Sequence, residues 1–302
     1  MTHRNRIKWG DLGLSLRMFL SMFLLAVVYL IFMTILWQAG VGFLPMAVIA
    51  GGMLLAQYYF SDKLVLATMG ARVVSPEEAP ELHEIIGKLA AAADLPMPKV
   101  AVVQTDMPNA FATGRNPKNA VVATTTGLLR RLTWPEVEAV LGHEMTHVKN
   151  RDVAVITMAS FFSTVAAFIV QNFLFFGAFG GGYGGGRDRN NSGIIVLLVS
   201  AAVWVVSYFL VNALSRYREY AADRGSAYLT GSPSQLASAL LKISGQMERV
   251  PARDLRQAET LNAFFIIPAI RGEAVMELLS THPSLEHRLQ QLQRLTQELE
   301  SV

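Results

Sequence analysis

Apolar residues run almost unbroken from about Met18 to Trp37 and again from about Val41 to Phe60. Each run is long enough for a helix to cross about 30 Å of hydrocarbon. The first is too long for the core of a cleavable signal, and a second run follows at once, so the pattern predicts an uncleaved hairpin of two membrane helices. From Ser75 the pattern turns mixed: Ser75, Pro76 and Glu78 read as a capping-box start for an amphipathic helix to about Ala93. The β-branched stretches Lys99 to Thr105 and Asn119 to Thr126 flank the Gly- and Asn-containing segment Asn109 to Lys118, which predicts a small hairpin of two strands joined by a loop. Thr133, Pro135 and Glu136 repeat the capping grammar and launch a helix through His143-Glu144-Met145-Thr146-His147. Two further apolar stretches, about Val153 to Phe179 and about Ile194 to Leu214, predict a second pair of spans, the third weakened by Gln171 and Asn172. The remainder reads as helices: one continuing through Ala227, one capped at Ser232 ahead of Pro233, and one from about Ser284. The last carries Leu285, Leu289, Leu292, Leu295 and Leu299 as a packing stripe. Ala263 to Ile270 is apolar but too short to cross.

Composition supports a lipid environment. Of 302 residues, 52% are hydrophobic and only 16% charged, and the mean hydropathy is +0.35. Soluble domains carry about 25% charged residues. The basic residues His3, Arg4, Arg6, Lys8 and Arg17 precede the first span, Lys63 and Arg72 follow the second, and the link Gln38 to Gly42 is uncharged. The positive-inside rule places both flanks in the cytoplasm, and Arg216 and Arg218 after the fourth stretch agree. The expected organisation is a transmembrane hairpin at 1–62, a first catalytic part at 63–152, a second hairpin at 153–214 and a second catalytic part at 215–302. The turn Gly180 to Gly186 lacks the Gly-Lys-Ser/Thr of a phosphate loop and reads as a linker. A net charge of +3 from scattered cations gives no footprint for nucleic acid. Without cysteine, any metal must be held by histidines and carboxylates.

The chemistry centres on His143 and His147, four residues apart and therefore on one helix face at a spacing that suits a tetrahedral zinc ion. Zinc with two histidines needs a third protein ligand and keeps a site for water, whose pKa it lowers toward about 7. Glu144, beside the first histidine, is the general base for that water. Glu219 and Asp223 share one face of a later helix and are candidates for the missing ligand and for a carboxylate that takes a histidine N–H. The same run also reads as a solvated face on which Arg216 and Arg218 pair with acids.

His143-Glu144-Met145-Thr146-His147 together with Arg218-Glu219-Tyr220-Ala221-Ala222-Asp223 resembles the HtpX-type integral-membrane metalloproteases, relatives of the CAAX prenyl protease. Asn109-Ala110-Phe111-Ala112-Thr113-Gly114, the hydrophobic pairs around the zinc helix and Ser280-Thr281-His282-Pro283 match as well, so the resemblance covers nearly the whole chain. It implies a mainly α fold with a small β-sheet, a zincin-like catalytic domain combined with about four transmembrane helices. It also implies one zinc ion on His143, His147 and Glu219, with Glu144 as base and proton shuttle and Asp223 supporting a ligand. The expected function is a zinc endopeptidase in a bacterial inner membrane, hydrolysing misfolded or damaged membrane proteins and unfolded polypeptide at the cytoplasmic face. Two histidines and a carboxylate favour zinc over other divalent ions. His282 is a candidate donor to the oxyanion or a plain helix-start residue, and the segment from Asn109 a candidate substrate edge or a plain loop. His3, His83 and His287 read as surface residues, and Arg151 and Asp152 as a pair near the site or as membrane-boundary markers. The alternative to an enzyme is an inactive membrane chaperone or scaffold that keeps the zinc site; the glutamate at 144 argues against it, since metal alone needs no base. A transporter is disfavoured because the spans hold almost no ionisable residues.

Overall fold

The structure, a computed structural model, describes residues 12–38, 65–179, 187–247 and 282–301, together with positions 48, 51, 52, 55, 59 and 63. Most of the expected second span, the turn 180–186 and the apolar piece 263–270 lie outside the described residues.

Helix α1 (Leu12–Gln38) leaves Leu16, Phe19, Leu20, Leu30 and Ile31 exposed while burying Leu25, Phe32 and Leu36. A helix with an apolar outer face is what lipid selects, because it satisfies its backbone polar groups within itself. After the single turn α3 (Thr126–Leu129), helix α4 (Trp134–Asn150) ends at Arg151, whose left-handed backbone (φ 55°) turns the chain directly into α5 (Asp152–Phe179). Helix α5 bends by 41° between Phe161 and Ser163. Helix α6 (Arg187–Thr230) runs on for 44 residues, so the fourth apolar stretch and the Glu219 run belong to one rod. Among the described residues α1 and the Ile194–Thr230 part of α6 are each long and apolar enough to cross a membrane, and α5 is a third crossing if its two halves form one span. These helices pack around Leu25, Phe32, Leu36, Ala159, Ala166 and Val203.

The second core belongs to the part outside the membrane. A sheet of order β1-β2-β4-β3 is built from β1 (Ala71–Val73), β2 (Lys99–Val103), β3 (Ala110–Thr113) and β4 (Val121–Thr125). The expected hairpin is corrected here: β2 and β4 pair in parallel, and the segment read as a loop supplies β3, antiparallel to β4 at the sheet's edge. Alternation sorts the residues by face. Val100 and Val122 point into the main core with α2 (Pro80–Ala93), α4, α7 (Pro233–Met247) and α8 (Leu285–Glu300), while Ala101, Phe111 and Ala123 pack on the other side beneath Val65.

Capping explains two helix starts and corrects a third. The Glu136 carboxylate accepts from the Thr133 amide (2.8 Å) and hydroxyl (3.0 Å) at the start of α4, and Ser284 accepts from the His287 amide at the start of α8. Ser75 and Glu78 instead close a separate turn, with Glu78 accepting from the Ser75 amide at 2.9 Å, because Pro80 provides a new first position for α2. Where α4 meets α6, two glycines allow close approach: a Cβ on Gly225 would sit 2.3 Å from Thr146, and one on Gly142 would sit 3.1 Å from Ser226. That contact brings the His143 face of α4 against the Glu219 face of α6.

Candidate metal centre

On α4, His143 and His147 follow the apolar stripe Val137, Val140 and Leu141 and so are drawn inward with it. Their Nε2 atoms face each other at 3.1 Å. Glu219 comes across from α6, Oε2 at 3.6 Å from His143 Nε2 and Oε1 at 3.4 Å from His147 Nε2. One donor atom from each of the three residues lies within 4.8 Å of the other two.

Each imidazole is oriented through its other nitrogen. His143 Nδ1 is 2.9 Å from Asp223 Oδ1, and His147 Nδ1 is 2.6 Å from Asp152 Oδ2. A carboxylate on Nδ1 holds the proton there and leaves Nε2 with its lone pair toward the centre, as metal-binding histidines need. Both aspartates are themselves gripped: Arg288 of α8 donates to the two Asp223 oxygens at 2.6 and 2.9 Å, and Arg218 of α6 pairs with Asp152. Arg218 also donates to the Asn150 carbonyl at 3.0 Å, which ties the end of α4 to α6.

The donor set fits a divalent cation. Among the described residues Glu144, Glu219, Asp223 and Asp152 are buried carboxylates and Arg288 and Arg218 the buried guanidiniums beside them. With neutral histidines this leaves two negative charges, which buried surroundings do not tolerate without a counter-charge. Glu219 Oε2 is buried without a hydrogen-bond partner among the described residues, so a lone pair remains for an ion. Two imidazoles and a carboxylate are a ligand set that suits zinc.

Glu144 is buried on the same helix, and its carboxylate takes a backbone hydrogen bond from Ala112 of β3. Burial pushes its carboxyl above the ordinary range, against the pull of His143 and His147. A narrow cavity lined by Ala112, Thr113, Gly114, His147 and Asp152 lies where the edge strand meets the His147 end of α4. His282 is brought in from the far end of the chain, with Nδ1 at 3.2 Å from Glu219 Oε2. Asn109 is buried at the base of β3, where its amide donates to Thr125 Oγ1 and its carbonyl accepts from the Thr125 amide, both at 2.9 Å. His83 is half-buried with Nε2 3.1 Å from the Val74 carbonyl, and His287 is exposed. Of the two readings of Arg151 and Asp152, the structure separates the residues: Arg151 makes the turn and Asp152 joins the centre.

Sequence reasoning did not find Arg288. Its signal was available: Arg288, Leu292 and Leu295 fall at i, i+4 and i+7 on one face of α8, and all three are buried. A charged residue inside an apolar stripe announces a buried partner.

Residues 76–296 match the family model described as peptidase family M48. The chain is 66% identical over 292 residues to a protease HtpX homolog of Moorella thermoacetica, covering 96% of this chain and 97% of that one. It is 56% identical over 294 residues to protease HtpX homolog 2 of Methanosarcina acetivorans, covering 97% of this chain and 99% of that one. In fold it matches a crystal structure of S. mikatae Ste24p with a TM-score of 0.54 at 19% identity, over 93% of this chain and 67% of that chain. The metal-binding geometry, the membrane helices and these similarities converge: the chain belongs to peptidase family M48 and is an integral-membrane metalloprotease of the HtpX type.

Proposed function

We propose that this chain is a zinc endopeptidase that hydrolyses peptide bonds of misfolded or damaged membrane proteins at the cytoplasmic face of the membrane, in protein quality control. The observation that carries the reading is the placement of a buried glutamate between three converging ligand atoms and the edge of a β-sheet. His143, His147 and Glu219 are the residues that would hold the ion, with Asp223 and Asp152 fixing the imidazoles. When bound, zinc supplies Lewis acidity, which lowers the pKa of water and polarises a scissile carbonyl. Glu144 accepts the proton of the attacking water and returns it to the leaving amine, so one carboxylate serves as base and then acid. His282, against Glu219, is the candidate donor to the oxygen that gains charge during attack.

Strand β3 pairs with no further strand on its outer side among the described residues, so an extended peptide can add there through backbone hydrogen bonds. That mode favours unfolded segments over folded ones. Helix α4 turns into α5 within one residue and the apolar part of α6 continues into the Glu219 turn, which keeps the centre close to the membrane surface and favours loops and tails of membrane proteins. Arg17 at one end of the apolar part of α1 and Arg216 beyond that of α6 support the cytoplasmic reading of this side.

The test compares wild type with Glu144→Gln, purified in detergent with and without a chelator, for zinc content, self-cleavage and cleavage of an unfolded membrane protein. One equivalent of metal in both proteins and cleavage only by metal-loaded wild type is the expected result. Metal in both and cleavage by neither would move the function to a membrane scaffold.

A further inference from the structure

One end of the sheet and the turn between α4 and α5 meet in a basic corner. Lys99 opens β2, and its amide donates to the Ala120 carbonyl at 3.0 Å. Arg115 and Lys118 lie in the loop from β3 to β4, and Arg151 makes the turn into α5. Loop and turn are neighbours, since Gly114, Asn116, Ala120 and Arg151 line one cavity. Lys99, Lys118 and Arg151 are exposed and Arg115 is half-buried. None of the four forms an ion pair with a carboxylate among the described residues. Of the acids nearest along the chain, Asp106 is held by Arg130, and the buried Asp152 by His147 and Arg218. That leaves exposed Asp94 against four cations.

Two of these cations are fixed where the chain enters lipid. Arg151 is the residue before α5. Arg115 lies over the ring of Tyr59 at 5.2 Å, and Tyr59 is exposed at the end of the second apolar run. Aromatic rings at the ends of apolar runs mark the headgroup level. The loop that carries Arg115 and Lys118 is firmly built: a Cβ on Gly114 (φ 129°) would meet the Asn119 carbonyl oxygen at 2.5 Å. Asn116 also accepts from the Asn119 amide at 3.1 Å and from its side chain at 2.8 Å. Arg151 keeps a left-handed backbone that glycine would adopt more easily, and its head finds no acceptor among the described residues.

We propose that this corner docks on anionic headgroups of the membrane surface, with Lys99, Arg115, Lys118 and Arg151 as its contacts. Each cation close to such a surface adds attraction, and clusters of four or more suit acidic lipid. The four residues spread over a strand start, a loop and a helix turn, which fits an extended lipid surface better than a single soluble anion. Since β3 runs directly into this loop, docking holds its outer edge beside the headgroups, where segments leaving the bilayer arrive. That consequence rests on the peptide-binding reading of β3; the lipid contact itself needs only that α5 enters the membrane.

The experiment places the full metal-loaded chain in vesicles of phosphatidylcholine, alone or with an equal part of phosphatidylglycerol. A membrane-impermeant amine-acylating reagent is then read lysine by lysine by mass spectrometry. Lys99 and Lys118 are expected to react severalfold more slowly in the phosphatidylglycerol vesicles. Lys88 of α2, 65% exposed, is the control and should react alike in both. Arg115→Gln/Arg151→Asn removes two cations, the asparagine keeping the left-handed turn, and should shift docking about thirtyfold toward the free state and restore both rates. Molar salt should restore them in wild type, because the screening length falls to about 3 Å. Equal rates in the two vesicles, or slowing in wild type that survives molar salt, overturns the proposal. So does slowing that survives in a metal-loaded double variant; if that variant loses its metal, the salt series decides. Slowing of the same size by millimolar inorganic phosphate in detergent would assign the cations to a soluble anion and overturn the lipid surface as partner. No step reads cleavage, so failure here and failure of the peptidase reading are told apart.

Discussion

His143 and His147 stand one turn apart on α4, and each gives its Nδ1 to an aspartate held in turn by an arginine: Asp223 and Arg288 for the first, Asp152 and Arg218 for the second. The chemistry is the same and the surroundings are not. The side chains of His143, Asp223 and Arg288 are 1%, 0% and 2% exposed and come from three helices, Arg288 lying 145 residues from His143. Those of His147, Asp152 and Arg218 are 18%, 9% and 11% exposed, and Asp152 lies five residues from its histidine across the α4–α5 turn. One half of the centre is therefore secured by the assembly of the whole core, the other by a local turn at the membrane junction. Metal binding and global folding should be coupled through the first half and nearly independent in the second.

The sharpest way to break this comparison is to remove the two arginines separately. Arg288→Met takes both guanidinium bonds from a fully buried Asp223 and leaves it His143 Nδ1 alone, which is expected to cost about 3–5 kcal/mol of stability and about 10–100-fold in metal affinity. Arg218→Met leaves Asp152 with its histidine and some access to solvent, and a loss of about 1–2 kcal/mol is expected. Denaturant unfolding of the metal-free chain and chelator competition of the loaded one measure the two quantities. Equal costs at both sites would erase the distinction between a core-built and a turn-built half.

A weaker perturbation acts on both halves at once. Gly225→Ala would push a methyl group against Thr146 and separate α6 from α4, at a cost of about 1–3 kcal/mol. Since Glu219 and Asp223 travel with α6, metal affinity should fall along with stability. Retained affinity in a destabilised Gly225→Ala chain would mean that the centre tolerates helix separation. Asp152→Asn is milder still: it acts on the His147 half alone, taking the carboxylate from His147 and from Arg218, which keeps the Asn150 carbonyl, and about a tenfold loss of metal affinity is expected with a stability loss of about 1 kcal/mol.

How legible each half was follows from the same contrast. The His-Glu-Met-Thr-His string, the Glu219 and Asp223 face and the leucine stripe of α8 obey short-range periodicities, and periodicity is what a sequence displays. Arg288 lies in its stripe as a charge, which signals a buried partner, but that partner is 65 residues away and spacing alone does not name it. Asp152 was visible as a charge at a boundary, but its role depends on Arg151 adopting a left-handed turn without being a glycine. Strand β3 was read as loop because Ala110-Phe111-Ala112-Thr113 carries little β-branching. Its pairing with β4 and its position over Glu144 come from tertiary context.

The start of α4 offers the mildest test, and a control for the other end. Burial alone would raise the Glu136 carboxyl, but the Lys242 ammonium, the Ser238 hydroxyl and the Thr133 amide and hydroxyl hold it down to about 2 from an ordinary 4.5. A carboxylate with a depressed folded pKa contributes stability above its unfolded value and loses it as pH falls toward the folded one. Glu136 should therefore support the fold fully above pH 4.5 and progressively less toward pH 2. Lys242 is 44% exposed, so solvent screens the pair and the expected contribution is about 1 kcal/mol. In the metal-free chain, Glu136→Gln should be less stable than wild type by that amount at pH 6, with the gap narrowing as pH drops toward 3. A gap that stays constant with pH would show that Glu136 acts through hydrogen bonds its amide can replace in part, not through charge. The ion pair joins α4 to α7 rather than to the ligands, so metal affinity at neutral pH should be the same in both proteins, in contrast to every change made at the histidine end of the helix.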